Sequence, residues 1–161
     1  MRISSLVEYL PSSGRTVIVD IDNTVAQMNP DRQGFIDSRR KDWDAYYSMS
    51  FEDTPIRSTI CVVQMLFVAD YKIVFCTGRS ERVREQTFNW IREHIISIGD
   101  FDLLMRPDGN ESQDWDVKPK LIKDQGIKPE DVIFILEDRK RVVAKWRELG
   151  FECWQVAKGD Y

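Results

Sequence analysis

The chain has 161 residues, 42% of them hydrophobic and 31% charged, and a formal charge of −4 from 23 basic and 27 acidic side chains. That is room for one domain burying about 70% of its unfolded surface, and the composition is that of an ordinary globular protein. The acidic balance argues against a general nucleic-acid coat protein, whose footprint is strongly basic; it leaves open a nucleic-acid end held by a local basic patch.

Three cysteines, Cys61, Cys76 and Cys153, show no paired spacing. They read as reduced thiols filling the core in a reducing compartment. The N-terminus carries no apolar run of signal-peptide or membrane-span length, so a cytoplasmic protein with no membrane partner is expected.

Met1 to Arg15 is weakly patterned, and Pro11-Ser12-Ser13-Gly14 breaks whatever amphipathic turn Leu6, Val7 and Leu10 begin. It reads as a flap or small helix, or a fragment left by a larger ancestor. Thr16 to Asp20 is the first strand, a β-branched run that climbs into two carboxylates, Asp20 and Asp22. In a strand, residues i and i+2 face the same way. Two acids that close repel one another, and a divalent cation removes the cost; magnesium favours a few carboxylate oxygens completed by water or phosphate. The plainer reading is a strand followed by an Asx turn.

Asn29 to Asp53 is polar and too long for a plain connection. It reads as part of a small, partly helical cap spanning about residues 25–53, inserted into a single domain covering 1–161. Trp43, Tyr46 and Tyr47 lie there beside Arg32, Arg39, Arg40 and Lys41. The aromatics are either a base-stacking surface or the apolar anchor that a small cap needs, and Arg39-Arg40-Lys41 is either a solvated run or a phosphate contact.

Thr54-Pro55 predicts the start of a helix, an N-cap followed by proline at the first position, with Ile56, Ile60, Val63 and Phe67 on one face. Lys72 to Cys76 is the second strand, and Thr77-Gly78-Arg79-Ser80 turns into a helix capped by Ser80 and ending near His94. Phe101 to Met105 is the third strand. After a loop from Arg106 to Asp114, a helix runs from about Lys118 to Gln125 and ends at Gly126. Val132 to Leu136 is an unbroken apolar run that suits a central strand, with Glu137-Asp138 at its tip. Arg139 to Leu149 is a helix and Phe151 to Val156 the last strand. Trp90, Trp146 and Trp154 are expected in the core. His94, the only histidine, suits a helix-end dipole contact.

Strands alternating with helices imply an α/β fold, a three-layer Rossmann-like parallel sheet with right-handed crossovers. Ligands in such sheets bind beyond the strands' carboxyl ends, where Asp20/Asp22, Thr77/Arg79 and Glu137/Asp138 would meet, with Lys118 entering from a helix. These groups suit phosphate-ester hydrolysis. Asp20 can attack phosphorus, and Asp22 can give and then take a proton. Magnesium on Asp20, the backbone carbonyl of Asp22 and Asp138 would neutralise charge. Thr77 offers a hydroxyl, Gly78 and Arg79 backbone amides near a helix N-terminus, Lys118 a point charge, and Arg79 a bidentate grip.

Asp20-Ile21-Asp22-Asn23-Thr24, Thr77-Gly78-Arg79, Lys118 and Glu137-Asp138 resemble, in order, the four motifs of the haloacid dehalogenase-like phosphatases. A closer resemblance is to the 3′-phosphatase domain of T-even phage polynucleotide kinase-phosphatases. It is carried by Ala26 to Asn29, Thr77 to Arg79, Asp114 to Lys118, Glu137-Asp138-Arg139 with Val142-Val143, Trp146-Arg147, and the tail from Glu152 to Tyr161.

The resemblance implies Asp20 as nucleophile, Asp22 as general acid-base and Asp138 on Mg2+ with Glu137 beside it. It further implies Arg79 and Lys118 as phosphate ligands, Asp114 positioning Lys118, and Arg32 as the cap arginine. Asn23 stands where the family has glycine, and Glu137 where it has aspartate; asparagine tolerates the left-handed backbone such a turn needs. The substrate implied is a polynucleotide 3′ end. No Gly-x-x-x-x-Gly-Lys-Ser/Thr loop occurs, so no kinase activity is expected.

The rival within the same chemistry is a phosphatase for mononucleotides or other metabolites. From other classes come a phospho-acceptor switch, disfavoured because nucleophile and acid-base sit together, and a binding module without turnover, disfavoured because Asp20, Asp22 and Lys118 are all present.

Overall fold

The structure, a computed structural model, describes residues 14–37 and 41–159. The expectations for residues 1–13 and for Arg39-Arg40 fall outside that range.

The β-branched run Thr16–Val19 forms β1, buried along its whole length. Two residues, Ala26–Gln27 (β2), pair antiparallel with Thr54–Pro55 (β3). Then come β4 (Lys72–Ser80), β5 (Asp102–Arg106), β6 (Val132–Arg139) and β7 (Cys153–Gly159). Together β1 and β4 to β7 make a five-stranded sheet in the order β5-β4-β1-β6-β7, with every neighbouring pair parallel. The helices are α1 (Gly34–Asp37), α2 (Trp43–Ser48), α3 (Arg57–Val68), α4 (Arg84–His94), α5 (Asp114–Asp124) and α6 (Lys140–Glu148).

Strand alternation splits the core in two. Val17, Val19, Ile73, Phe75, Phe134 and Leu136 face α3 and α4, meeting Ile60, Val63, Trp90 and Ile91. Ile18, Val74, Cys76 and Ile135 face the other way, onto Ile122 of α5 and Val142, Val143 and Trp146 of α6. Each such side chain contributes about 1.5–3 kcal/mol by leaving water, so burial against helices on both faces fixes the register of the sheet.

The chain leaves the central β1 for β4 and β5 on one side and then for β6 and β7 on the other. The carboxyl ends of β1, β4 and β6 therefore adjoin at the switch point, where open sheets of this kind bind ligands.

Several elements differ from their sequence-based bounds. Thr54-Pro55 is strand, not helix N-terminus: Gln27 pairs with Thr54 and Ala26 with Pro55. Ile56 N–H then donates to the Val25 carbonyl, and α3 starts only at Arg57. Proline tolerates a strand that ends a short edge ladder. Helix α5 starts at Asp114, a full turn before Lys118, so Asp114 and Lys118 share a face at i, i+4. Cys61 and Trp154 are exposed rather than core; Trp154 lies stacked on Phe134 at 4.1 Å between ring centres. Cys76, Cys153, Trp90 and Trp146 are buried as expected. His94 packs its ring against Trp90 at the end of α4. No helix among the described residues is long and apolar enough to cross a membrane.

Candidate active site

The ladder of β1 reaches one residue past the strand, with Asp20 N–H donating to the Leu136 carbonyl at 3.0 Å. The chain then turns sharply. Asn23 takes a left-handed backbone, φ 57°, and the amides of Thr24, Val25 and Ala26 all donate to the Ile21 carbonyl. The Asn23 carboxamide oxygen accepts from the Met28 amide at 3.2 Å. Asparagine thus serves where the family has glycine.

The turn separates the two aspartates. Asp20 is buried, and its carboxylate accepts from Lys118 Nζ at 2.7 Å and from the Thr24 hydroxyl at 3.3 Å. Lys118 reaches in from α5, also buried, and donates equally to Glu137 at 2.7 Å. Carboxylate oxygens of Asp20, Glu137 and Asp138 lie within 4.8 Å of one another.

Three buried carboxylates against one ammonium leave this pocket acid-rich. Burial raises Asp20 to about 7, helped by Glu137 and opposed by Lys118. Burial likewise raises Glu137, with Lys118 opposing it. Burial works against the charge on Lys118, yet Asp20 and Glu137 hold its pKa well above the ordinary value. Such an oxygen-rich, charge-deficient pocket has the donor set of a hard divalent cation.

Asp22 faces an opposite setting. Arg79 grips its carboxylate twice, with Nη2 to Oδ1 at 2.8 Å and Nε to Oδ2 at 3.0 Å, and Arg32 adds a contact at 3.2 Å. Burial would push Asp22 up, but the two guanidiniums reverse this and hold its carboxyl well below the usual carboxylate range. The side chain of Asp22 therefore stays off the acid cluster. Arg32 comes from the 3-10 turn Pro30–Gln33 and Arg79 from the end of β4; both are fully buried.

A fourth member completes this group. Asp53 accepts from Arg79 Nη2 at 2.7 Å and pairs with Arg32. The Asn29 amide holds its other oxygen at 2.9 Å, and the Trp90 indole donates to its backbone carbonyl at 3.0 Å. Sequence reasoning passed over Asp53, which sits in a polar stretch just before Thr54-Pro55. The one available signal was an acid beside the strand that returns to β2.

The loop after β4 is fixed from both sides. The Thr77 hydroxyl, expected to face phosphate, accepts from the Arg79 amide at 3.2 Å. The Gly78 carbonyl accepts from Arg106 Nε at 2.9 Å and from the Tyr47 hydroxyl at 3.3 Å. A side chain at Gly78 would run into the Asp114 carboxylate. Asp114 itself pairs with Arg106 and Arg139, so its effect on Lys118 is through charge across one helical turn, where it helps to hold the ammonium protonated. Arg106 is a second residue that sequence reasoning missed.

Asp20, Asp22, Gly78, Arg79, Lys118 and Asp138 all line one open cavity of about 1560 Å³. The structure thus gathers Asp20, Lys118, Glu137 and Asp138 into one cluster, and Asp22, Arg79 and Arg32 into a neighbouring one. Arg32 Nη2 and Arg79 Nη1 are buried with no hydrogen-bond partner among the described residues.

An acid-tipped parallel sheet with a buried lysine is the architecture of the haloacid dehalogenase-like hydrolases. One of these, from Streptococcus pneumoniae, superposes with a TM-score of 0.58 at 16% identity, over 89% of this chain and 84% of its own, a likeness of fold alone. More narrowly, the chain belongs to the polynucleotide kinase PNKP phosphatase domain family, whose model matches residues 14–161.

A chain in the Pnkp1/Rnl/Hen1 RNA repair complex is 30% identical, with a TM-score of 0.76 over 91% of this chain and 43% of that one. The candidate bifunctional polynucleotide kinase/RNA ligase of Autographa californica nuclear polyhedrosis virus is 28% identical over 152 residues, 92% of this chain and 20% of the viral protein. The chain thus spans less than half of either relative.

Proposed function

We propose that the chain is a magnesium-dependent phosphomonoesterase that removes 3′-phosphates from polynucleotide ends through a phosphorylated aspartate. The observation that carries this reading is the division of labour across the turn: Asp20 lies with a lysine and an acid cluster, while Asp22, two residues on, lies with two arginines.

In this reading Asp20 attacks phosphorus. The P–O bond to the sugar breaks, and Asp22, carrying a proton, gives it to the departing 3′ oxygen. Asp22 then takes a proton from the water that attacks the Asp20 phosphoryl group, returning free phosphate and the Asp20 carboxylate. Lys118 and Arg79 hold the phosphoryl oxygens as charge moves onto them. Arg32 and Arg79 each have a buried nitrogen, unpartnered among the described residues, to offer an anion. As they turn to phosphate they loosen their hold on Asp22, which lets Asp22 take up the proton it needs.

Asp20, Asp138 and Glu137, with the backbone carbonyl of Asp22, would hold Mg2+. Bound there, the ion neutralises the negative charge shared by the Asp20 carboxylate and the phosphate. The expectation of no kinase activity rests on the missing phosphate-binding loop. The polynucleotide end draws support from the family and from the RNA repair complex that contains one relative.

The test is phosphate release with magnesium and with chelator. The substrates are an oligonucleotide bearing a 3′-phosphate, the same oligonucleotide bearing a 5′-phosphate, a 3′-mononucleotide and a 5′-mononucleotide. Asp20→Asn serves as the control. Fast magnesium-dependent release from the 3′-phosphorylated oligonucleotide, lost in Asp20→Asn, is expected. A preference for mononucleotides would move the function to nucleotide metabolism, and no release from any substrate would overturn the reading.

A further inference from the structure

We infer that Trp43, backed by Tyr47, is a stacking platform for the base of the 3′-terminal nucleotide, an inference that rests on the polynucleotide reading and names what that site recognises beyond phosphate. Helix α2 is capped by Asp42, whose carboxylate accepts from the Ala45 amide at 2.9 Å. Trp43, Tyr46 and Tyr47 then stand at i, i+3 and i+4, on one helical face.

Each ring is tied differently. The Tyr46 ring lies 4.4 Å from the Arg32 guanidinium, its hydroxyl meets Met28 Sδ at 3.0 Å, and its carbonyl accepts from Arg32 Nε at 2.9 Å. The Tyr47 hydroxyl donates to Gly78 in the loop after β4. Trp43 meets Tyr46 edge-on and stacks over Tyr47, 5.9 Å between centres at 24°. The three rings therefore form a wall of the cavity that starts at Arg32, which also contacts Asp22.

A small cap needs an apolar anchor, and Tyr46 already supplies one against Arg32 and Met28. An anchor would be buried, whereas Trp43 remains 45% exposed. Trp43 and Tyr47 line the same cavity as Asp20 and Asp22, with Lys41 and Lys158 on its wall. Lys41 Nζ lies over the Trp43 ring, 5.5 Å from its centre, where an arriving base would displace a flexible surface side chain. A half-exposed indole braced by a second ring and covered only by a flexible lysine, in the cavity that holds the proposed phosphate site, has the make-up of a single-strand stacking platform. A flat aromatic base joined through its sugar to the reacting phosphate is the occupant that uses both parts of the cavity at once.

The test compares two oligonucleotides that carry the same 3′-phosphate, one ending in a normal nucleotide and one in an abasic residue. Glycerol phosphate is the baseless small ester. The wild type should favour the base-bearing end in kcat/KM by about 5- to 100-fold, the range of stacking on one aromatic side chain. Trp43→Ala should bring the ratio between the two ends toward one, and Trp43→Phe should keep most of it. Equal losses on both ends in Trp43→Ala, or an unchanged ratio, would overturn the platform and leave Trp43 a scaffold residue. Turnover of glycerol phosphate by the wild type with neither end cleaved would fail the polynucleotide reading itself, and this inference with it.

Discussion

Asp53 offers the sharpest test of the arginine cluster. Its carboxylate is fully buried between two fully buried guanidiniums, Arg79 at 2.7 Å and Arg32 on its other flank. With Asp22 they form a neutral group of two acids and two bases. Asp53→Ala leaves both guanidiniums sharing Asp22 alone, which is still 26% exposed. Removing one partner of a buried ion pair costs about 3–5 kcal/mol, a large share of the 5–15 kcal/mol typical of a domain. For a chain of this size that is a fall of about 6–20 °C in Tm. Asp53→Asn keeps the shape, and an oxygen for the Asn29 amide, and should fall between. Without Asp53, both arginines fold onto Asp22 and hold its proton off more strongly, so kcat should drop by more than KM rises. Inorganic phosphate supplies the missing anion and should raise the Tm of Asp53→Ala more than that of wild type. Thermal melts with and without phosphate, followed by steady-state kinetics on a 3′-phosphorylated oligonucleotide, measure all three effects. A Tm within about 2 °C of wild type and an unchanged kcat would refute the argument, since a buried pair in this geometry has no way to be neutral on removal.

Two further changes probe the acid-rich side. Lys118→Met leaves Asp20 and Glu137 buried without their shared cation; kcat should fall by at least about 100-fold, as when a preorganised charge is removed from a phosphoryl site, and activity near wild type would show that the lysine holds only structure. Asp20→Asn tests the burial of the Asp20 carboxylate through pH. Asp20 is raised from 3.8 to about 7, so the folded chain keeps a proton that the unfolded chain has lost between those values. Stability of the wild type in chelator therefore falls as pH rises from about 4 to about 7. Asp20→Asn escapes that loss and should be the more stable protein at pH 8, by up to about 4 kcal/mol. Urea melts at pH 4, 6 and 8 with EDTA measure it, and parallel profiles for the two proteins would place the penalty elsewhere.

The main strands were legible because their signal is local. Val17-Ile18-Val19 and Val132 to Leu136 carry β-branched, apolar runs that nothing but a buried strand satisfies. The helix ends were less so. Thr54-Pro55 has the chemistry of a helix start, and its pairing with Gln27 and Ala26 depends on a partner more than twenty residues away. Asp53 and Arg106 escaped for the same reason. Asp53 meets Arg79 across 26 residues and Arg106 meets the Gly78 carbonyl across 28, and no local pattern separates a carboxylate bound for the interior from one bound for water. Trp154 failed the other way: its position in a strand promised burial, but β7 closes the sheet at its edge, where successive residues from Trp154 to Lys158 are exposed on both faces.

The spacing of Asp20 and Asp22 shows where such local rules stop. Alternation puts i and i+2 on one side only while the strand lasts. Here the ladder ends at Asp20, and the chain leaves the strand in a turn closed on the Ile21 carbonyl, with Asn23 taking its left-handed position just after Asp22. One carboxylate stays with Lys118, Glu137 and Asp138, and the other swings to Arg79 and Arg32. Had both remained on one side, their repulsion would have raised both, and a cation held by one would have kept the other from carrying a proton. Separate surroundings shift two identical residues in opposite directions, Asp20 up and Asp22 down, so the roles proposed above rely on a bound cation to ionise Asp20 and on a bound phosphate to release Asp22 from its arginines. The turn that begins at Ile21, rather than the spacing of the two aspartates alone, therefore sets their carboxylates in separate surroundings.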